Sequence, residues 1–542
     1  MSAITPTQTP EVKFQPEAGR AFQRGANQIV DAVSPTLGPR PRLVAIQPTH
    51  RNDPPELLDD AGQIARRIIQ IADRDEDMGA MFARQMLWRL REDVGDGAAT
   101  AAVLFKAVYA ECLKYIAAGG NAMRVRVGLE KSLEVALRAL DKQIQPLTDR
   151  RQITNFARSI CADESITGAL GEIFDIVGAE GHLNVQLGRS NVTEREYVEG
   201  HLWEGGLLTR ALMLDPIQNR SRLENAAILI SDLEIESASQ LTPALRAALQ
   251  SGEANLVIVA RKLSDEAAAL LAKINRESNQ MRVTAVKTPG TGIEAQSAAL
   301  DDLSALTGGR AVVQAVDQNF EKVAPAHFGH ARRAWADMER FVVVNGKGEP
   351  RALRSHIQAL RRGIEKSDTP EQRNKLRARV GRLIGGAAIL SVGGATETEM
   401  KTRREFAERA ALTLRSALRD GVVNGGGIAL LDCRPALIQF SQQLLDEDER
   451  MACRALTKAL DAPARLILTN SGFDPSGFLT HLGHGRGVDA RSGELADMRS
   501  AGILDSAASA RGALTSAIRS SALALTVDVL VHKRNPQASV NP

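Results

Sequence analysis

The sequence predicts a multidomain fold that mixes helical and α/β parts, with a helical domain drawn from both chain ends and an α/β domain inserted between them. Helical periodicity dominates the first and last thirds, β-branched runs alternate with helical patterns in the middle, and 542 residues suffice for several cores. At roughly 150 residues per domain, that length suggests three or four.

From Asn121 to Gln145, Leu129, Leu133, Ala136, Leu137, Leu140 and Ile144 recur at helical spacing, and Pro146 ends the run. A second long helix is predicted from about Thr398 to Arg419, with Ala407, Ala411, Leu414 and Leu418 on one stripe. Ser506–Val531 is rich in Ala and Leu almost all round, the composition of a deeply packed helical block. In the middle, short runs at Ala226–Ile230, Leu256–Ala260, Val283–Lys287 and Ala311–Gln314 read as strands. Helical patterns at Ser239–Gln250 and Ser264–Asn275 separate the first three, the signature of a mainly parallel sheet. Arg351–Leu383 is highly charged with sparse apolar positions, as expected of exposed or paired helices.

Composition narrows the function classes. Hydrophobic residues make up 44% and charged residues 25%, an ordinary globular balance. Only 4% are aromatic, so any adhesive surface must rely on aliphatic side chains. The 68 basic and 65 acidic residues are mixed along the chain, and no basic–aromatic block marks a nucleic-acid groove. Cys112, Cys161, Cys433 and Cys453 are scattered without a CxxC pair, which argues against disulfides or structural zinc. No signal pattern opens the chain and no run of about 18 apolar residues occurs, so no membrane association is expected and a cytoplasmic location is. The pairs His327/His330 and His481/His484 lie among Gly, Pro and Phe without acidic or Cys partners at useful spacing, and read as loop histidines.

No Gly-x-x-x-x-Gly-Lys-Ser/Thr loop is present, and no Gly-x-Gly-x-x-Gly opens a helix after a strand. Instead Gly95-Asp96-Gly97-Ala98-Ala99-Thr100 leads into the helical run Ala101–Ala110. Small residues let a phosphate approach the backbone, helix-start amides favour negative charge, and Asp96 is a hard oxygen ligand suited to Mg²⁺. Alone, the segment is a weak signal, because Gly-Asp-Gly is also a common turn. Four further segments accompany it: Thr36-Leu37-Gly38-Pro39, Leu58-Asp59-Asp60-Ala61-Gly62, Gly421–Gly427 and Gly502-Ile503-Leu504-Asp505.

This ordered set resembles the nucleotide site of group I (GroEL-type) chaperonins. The likeness continues through Val198-Glu199-Gly200, Ala285–Gly290, Leu306-Thr307-Gly308-Gly309 and Gly394–Lys401, and spans roughly Ala21 to His532. The resemblance implies an equatorial domain from residues 1–142 and 421–542, an intermediate domain from 143–198 and 387–420, and an apical polypeptide-binding domain from 199–386. It implies ATP and Mg²⁺ as cofactors, with Thr36, Leu37, Gly38, Pro39, Asp96, Gly97, Ala98, Ala99, Thr100, Gly426, Asp489, Ala490 and Asp505 around the nucleotide. Asp96 would hold the metal, Gly426 would approach the base or ribose, Asp505 would accept from ribose hydroxyls, and Gly487–Ala490 would lie at adenine. Asp60 matches a catalytic carboxylate near the attacking water. Partners implied are unfolded polypeptides, a homo-oligomeric ring (heptameric, single or double) and a lid co-chaperonin.

Departures gather at the γ-phosphate end. Ala98 and Ala99 replace two of three usual threonines, and each lost neutral hydroxyl bond is worth about 0.5–1.5 kcal/mol. Pro41 replaces a glycine, removing an amide donor. Asp59 stands where a lysine is usual, and Arg409 where the family has the aspartate that orients water. Loss of such a group typically slows a reaction about 10²–10⁴-fold, so ATP is expected to bind and to turn over slowly or not at all. Arg409 has two readings: an ion pair with Glu405 four residues earlier on a solvated helix, or a guanidinium that reaches the nucleotide.

For polypeptide binding the resemblance points to Leu207, Leu212, Leu241, Leu245, Leu249, Leu270, Leu271 and Ile274. Equally, these leucines could simply pack onto the sheet. Replacement of the family's aromatics at Leu207, Ala211 and Leu212 implies an altered client range or weaker holding. The chain ends Asn535–Pro542 without Gly-Met repeats. Three functions compete: an ATP-driven folding chaperonin, a chaperonin-like scaffold, holdase or mixed-ring subunit without ATPase, and a metabolic kinase, for which no phosphate loop is found.

Overall fold

The computed structural model describes residues 12–39, 41–47, 55–147, 150–160, 163–278, 280–313, 320–367, 369–384 and 386–532. Cys161, Gln314, the first residues to Glu11 and the tail Asn535–Pro542 lie outside them. The chain forms two compact units, one from residues 1–175 with 396–542 and the other from 176–395.

The first unit is helical. Its core joins helices Glu17–Val33, Arg74–Val94, Ala98–Ala117 and Ala122–Asp141 to Glu447–Ala459 and Ala507–Ala524. The predicted stripe Leu129, Leu133, Ala136 and Leu140 is buried there. That helix starts at an Asn121 cap and ends four residues before Gln145, which turns away to exchange backbone bonds with Val422. The second predicted helix runs over Glu397–Asp420, with Thr396 Oγ1 accepting from the amide of Glu399. The predicted block Ser506–Val531 is corrected: its helix covers Ala507–Ala524, and Val529–Val531 is a strand paired with Val12–Phe14. The β-branched residues Val527, Val529 and Val531 alternate there, a strand period that the preceding Ala/Leu run obscures.

In the second unit, strands Ser221–Leu229, Asn255–Ala260 and Arg282–Lys287 are parallel, with helices Ala238–Gln250 and Asp265–Glu277 between them. The sheet as a whole is mixed, which corrects the mainly parallel expectation. Phe328–Ala336, Arg340–Gly346 and His201–Glu204 extend it antiparallel on the Ser221–Leu229 side. Their apolar alternation is masked by Arg332, Arg333 and Arg340, which carry ion pairs at the surface. Among the described residues, the predicted fourth strand contributes only a bridge from Val312 to Ser231. Alternate sheet residues face opposite cores: Ile228, Val257 and Val259 one way, Ala227, Leu229, Leu256 and Ile258 the other. A smaller sheet orders His182–Leu187, Ala387–Val392 and Glu194–Val198.

The leucines expected on an exposed grip are mostly core. Leu212, Leu241 and Leu271 are fully buried, and Leu207 and Leu245 nearly so. Leu270 and Ile274 are partly buried against the same cluster, and only Leu249 is exposed. An amphipathic helix on a sheet must bury one stripe, and these positions are that stripe. The outward positions of the two helices are polar: Thr242, Arg246, Gln250, Glu266, Lys273 and Arg276.

Candidate functional site

Gly95 and Gly97 make the loop that presents Asp96. Gly95 caps helix Arg74–Val94 at φ +86°, and Gly97 opens helix Ala98–Ala117 at φ +92°. A Cβ on Gly97 would lie 2.9 Å from the carbonyl oxygen of Ser509, so the backbone approach itself requires glycine. The helix begins without a side-chain cap, leaving its first amides, Ala98 to Thr100, available to a negative group. Asp96 is open to solvent although protein atoms crowd round it. That crowding raises its carboxyl above the ordinary range, while the Gly97 amide and the Arg409 charge act in the opposite direction.

Asp505 comes from strand Leu504–Ser506, which pairs antiparallel with Val422–Asn424 so that Asp505 faces Val423. It too is open to solvent yet hemmed in, and desolvation together with the neighbouring Asp96 pushes it up to about 7. The same strand pair sets the glycine turn. The Gly425 amide donates to Ile503 at 2.9 Å, and Gly426 follows at φ +68° beside the Met498 sulfur. Gly427 at φ +78° is pressed against Ala464.

Two further segments join this frame. Asn470, at the end of helix Ala462–Asn470, donates its side-chain amide to the carbonyls of Ser34 (2.9 Å) and Leu37 (2.8 Å). This seats Thr36–Gly38 against the helix that carries Ala464. Asp489 and Ala490 close the hairpin of strands Arg486–Asp489 and Glu494–Asp497, where Asp489 accepts from the Arg491 amide. The hairpin is anchored beside Gly426 by the Met498 amide donating to Gly485, with Met498 and Ile503 in one apolar cluster. The structure therefore brings Asp96, Asp505, Gly426, the Thr36 turn and the Asp489 hairpin into one lobe, built from segments more than 400 residues apart.

The acidic turn lies beside Asp96. Asp60 caps helix Ala61–Arg67 through Oδ1, which accepts from the Gln63 amide at 2.8 Å. Its Oδ2 accepts from Arg409 at 3.2 Å and Arg91 at 3.4 Å. Arg409 also reaches Asp59 at 3.3 Å, and its guanidinium lies over the Phe406 ring. Burial disfavours the Arg409 charge, but Asp59 and Asp60 more than offset that and hold it above its usual value. Glu405 is not its partner, so the reading as a pair within one solvated helix is corrected. A guanidinium that is four-fifths buried cannot reach a carboxylate on its own exposed face while also meeting Asp59 and Asp60.

Sequence reasoning missed Arg91 and Asn470. Arg91 is one turn before Gly95 and stacks on Trp88, a spacing that could have flagged it. Nothing local signals that Asn470 meets Ser34. The histidine pairs hold no metal cluster among the described residues. The loop reading of His330 is corrected: it lies in strand Phe328–Ala336 and bonds Glu253 at 2.7 Å, 77 positions away, while His327 bonds the Ala324 backbone. A cavity of about 580 Å³ lies apart from the carboxylates, lined by Asp432, Arg434, Asp461, Arg465 and His484. Both of its arginines are turned to Asp461, and Asp432 accepts from the amides of His484 and Gly485.

The sequence profile of the TCP-1/cpn60 chaperonin family matches residues 29–535. This chain belongs to that family. Among solved structures, the chaperonin is similar to chaperonin gp146 from the bacteriophage EL 2 (Pseudomonas aeruginosa), determined in the presence of ATP-BeFx. Crystal form I shares 17% identity at a TM-score of 0.68, covering 96% of this chain and 99% of that one. Crystal form II gives 17% identity and 0.61, covering 96% and 98%. Identity at that level carries the fold. Membership in the chaperonin family supports a role in assisting protein folding, and no described helix is long and apolar enough to cross a membrane.

Proposed function

We propose that this chaperonin is a group I-type ring subunit that binds ATP with Mg²⁺, holds non-native polypeptide and hydrolyses the nucleotide weakly. The observation that carries the reading is Arg409 bonded to both Asp59 and Asp60 beside Asp96. On this reading the chain divides as equatorial 1–142 and 421–542, intermediate 143–198 and 387–420, and apical 199–386. The ring is homo-oligomeric and cytoplasmic, with a lid co-chaperonin as a further partner.

The donor set fits the cofactor. Asp96 is a solvent-open carboxylate beside helix-start amides with Asp505 as its neighbour, and Mg²⁺ prefers one or two carboxylates plus phosphate oxygens and water to a closed protein cage. A bound magnesium nucleotide supplies the phosphoanhydride to be cleaved. Ala98 to Thr100 amides meet negative charge, Thr36–Pro39 and Gly426 line the approach, Asp505 accepts from hydroxyls, and Asp489 and Ala490 flank the base. Asp60 is the remaining candidate to orient water. One of its oxygens caps a helix and the other takes two arginines, so little acceptor capacity is left for that task. Slow turnover follows.

The loss of hydroxyls at Ala98 and Ala99 favours the second reading, a scaffold, holdase or mixed-ring subunit without ATPase. Particle size measured together with ATP turnover decides. A large ring with slow turnover that Arg409→Asp accelerates supports the first reading. A large ring without turnover in either protein supports the second, and turnover matching an ordinary chaperonin would refute the blocked-carboxylate argument.

A further inference from the structure

We propose that the outward face of helix Pro350–Lys366 is an electrostatic docking surface for acidic stretches of polypeptide. The proposal rests on the polypeptide-holding reading above and adds to it a class of client. This helix carries Arg351, Arg354, Arg361, Arg362 and Lys366 against a single carboxylate, Glu365. The next helix, Pro370–Ile384, repeats the imbalance with Arg373, Lys375, Arg377, Arg379 and Arg382 against Glu371. The chain overall is nearly balanced at +3, so the excess is local.

The two helices use their cations differently. In the second, Arg379 is spent on buried Asp302, Lys375 on Glu371, and Arg382 lies over Trp203. In the first, Leu353, Ile357, Leu360 and Ile364 pack on the sheet core, which fixes the helix's rotation. Arg351, Gln358 and Arg362 then fall on the side away from the core and Arg354 and Arg361 flank them, all exposed. Among the described residues none of these four arginines has an ion-pair partner. From Arg351 to Arg362 the row extends about 16 Å, the rise of eleven helical residues. Four unpaired, like-charged guanidinium groups on one face repel one another, and a carboxylate-bearing partner relieves that repulsion.

A polypeptide partner is favoured over a nucleic acid. The helix has no Phe, Tyr or Trp on which a base could stack, its one imidazole, His356, is held by buried Asp302 at 2.8 Å, and Glu365 interrupts the face where a phosphate backbone would continue. The helices Ala238–Gln250 and Asp265–Glu277 of the same unit show solvent a polar face with Leu249 as its one exposed leucine. Charge is therefore the stronger handle this unit offers to an unfolded chain.

The test uses full-length assembled particles and fluorescence anisotropy with two probes, labelled poly-glutamate and a labelled neutral unfolded polypeptide. A variant carrying Arg351→Glu, Arg354→Glu, Arg361→Glu and Arg362→Glu should bind poly-glutamate about tenfold or more weakly. The matching four-lysine variant should retain most of the binding, and raised salt should weaken it steeply. Neutral-probe binding should be unchanged in every variant. Unchanged poly-glutamate binding in the glutamate variant overturns the proposal alone, whereas failure of both probes on the parent protein overturns the polypeptide-holding reading. A single-stranded oligonucleotide of equal charge that binds as tightly and responds to the same variant would also overturn it, in favour of a nucleic-acid surface. Circular dichroism and particle size of the variants exclude misfolding as the cause.

Discussion

The nucleotide-site candidates and the grip candidates came from the same kind of resemblance, yet the structure treats them oppositely. In the unit made from both chain ends, Asp96, Gly426, Asp505 and the Thr36 turn converge although they are hundreds of residues apart. In the inserted unit, five of the eight candidate residues turn inward. The difference is chemical. Gly-Asp-Gly makes a turn whatever the fold, because glycine takes positive φ without strain, and a carboxylate beside free amides is costly to bury unpaired. A leucine at four-residue spacing has an equally good home against a sheet, and burial of its apolar area decides the matter.

The comparison is most exposed to a core substitution. Leu241→Ala or Leu271→Ala should destabilise the inserted unit by about 2–5 kcal/mol in urea unfolding. A stable Leu241→Ala protein with weakened client binding would return that residue to the surface. Gly97→Ala should cost about 1 kcal/mol or more, since alanine meets both the positive φ and the Ser509 oxygen. Nucleotide affinity should fall with it, read by titration calorimetry. Arg409→Ala leaves Asp59 and Asp60 facing each other and should lower the melting temperature by the equivalent of about 1–3 kcal/mol. Added Mg²⁺ should recover part of the loss.

Asp505 gives a smaller effect with a definite sign. Its carboxyl, raised to about 7, binds more protons folded than unfolded at intermediate pH. The nucleotide-free protein should therefore lose stability as pH rises from about 4 through 7, and Asp505→Asn should remove part of that slope. Nucleotide affinity should move the other way where it depends on an ionised Asp96. Smallest of all, Leu249→Ala should change stability by less than about 0.5 kcal/mol, and its only measurable consequence should be in client binding.

Local chemistry was legible in the sequence and long-range partnership was not. The helix Ala122–Asp141 could be read because Leu129, Leu133 and Leu140 repeat at its own period. The hairpin Phe328–Gly346 could not, because Arg332, Arg333 and Arg340, ion-paired to carboxylates elsewhere in the unit, hide the alternation. At the site, Gly-Asp-Gly announced a backbone turn, but the partners of Arg409 sit some 350 positions upstream, and Glu405 nearby offered a local answer that the fold did not take. Asn470 shows the same limit.

The amide of Asn470 that fastens the Ser34–Leu37 turn has a consequence for how the molecule is made. Strand Val12–Phe14 waits for Val529–Val531, and Val423 waits for Asp505. A ribosome releases those late partners last, so the nascent chain can complete residues 176–395 while the first lobe still lacks its closing segments. During synthesis this protein is itself an unfinished client, with its candidate site the final part to exist.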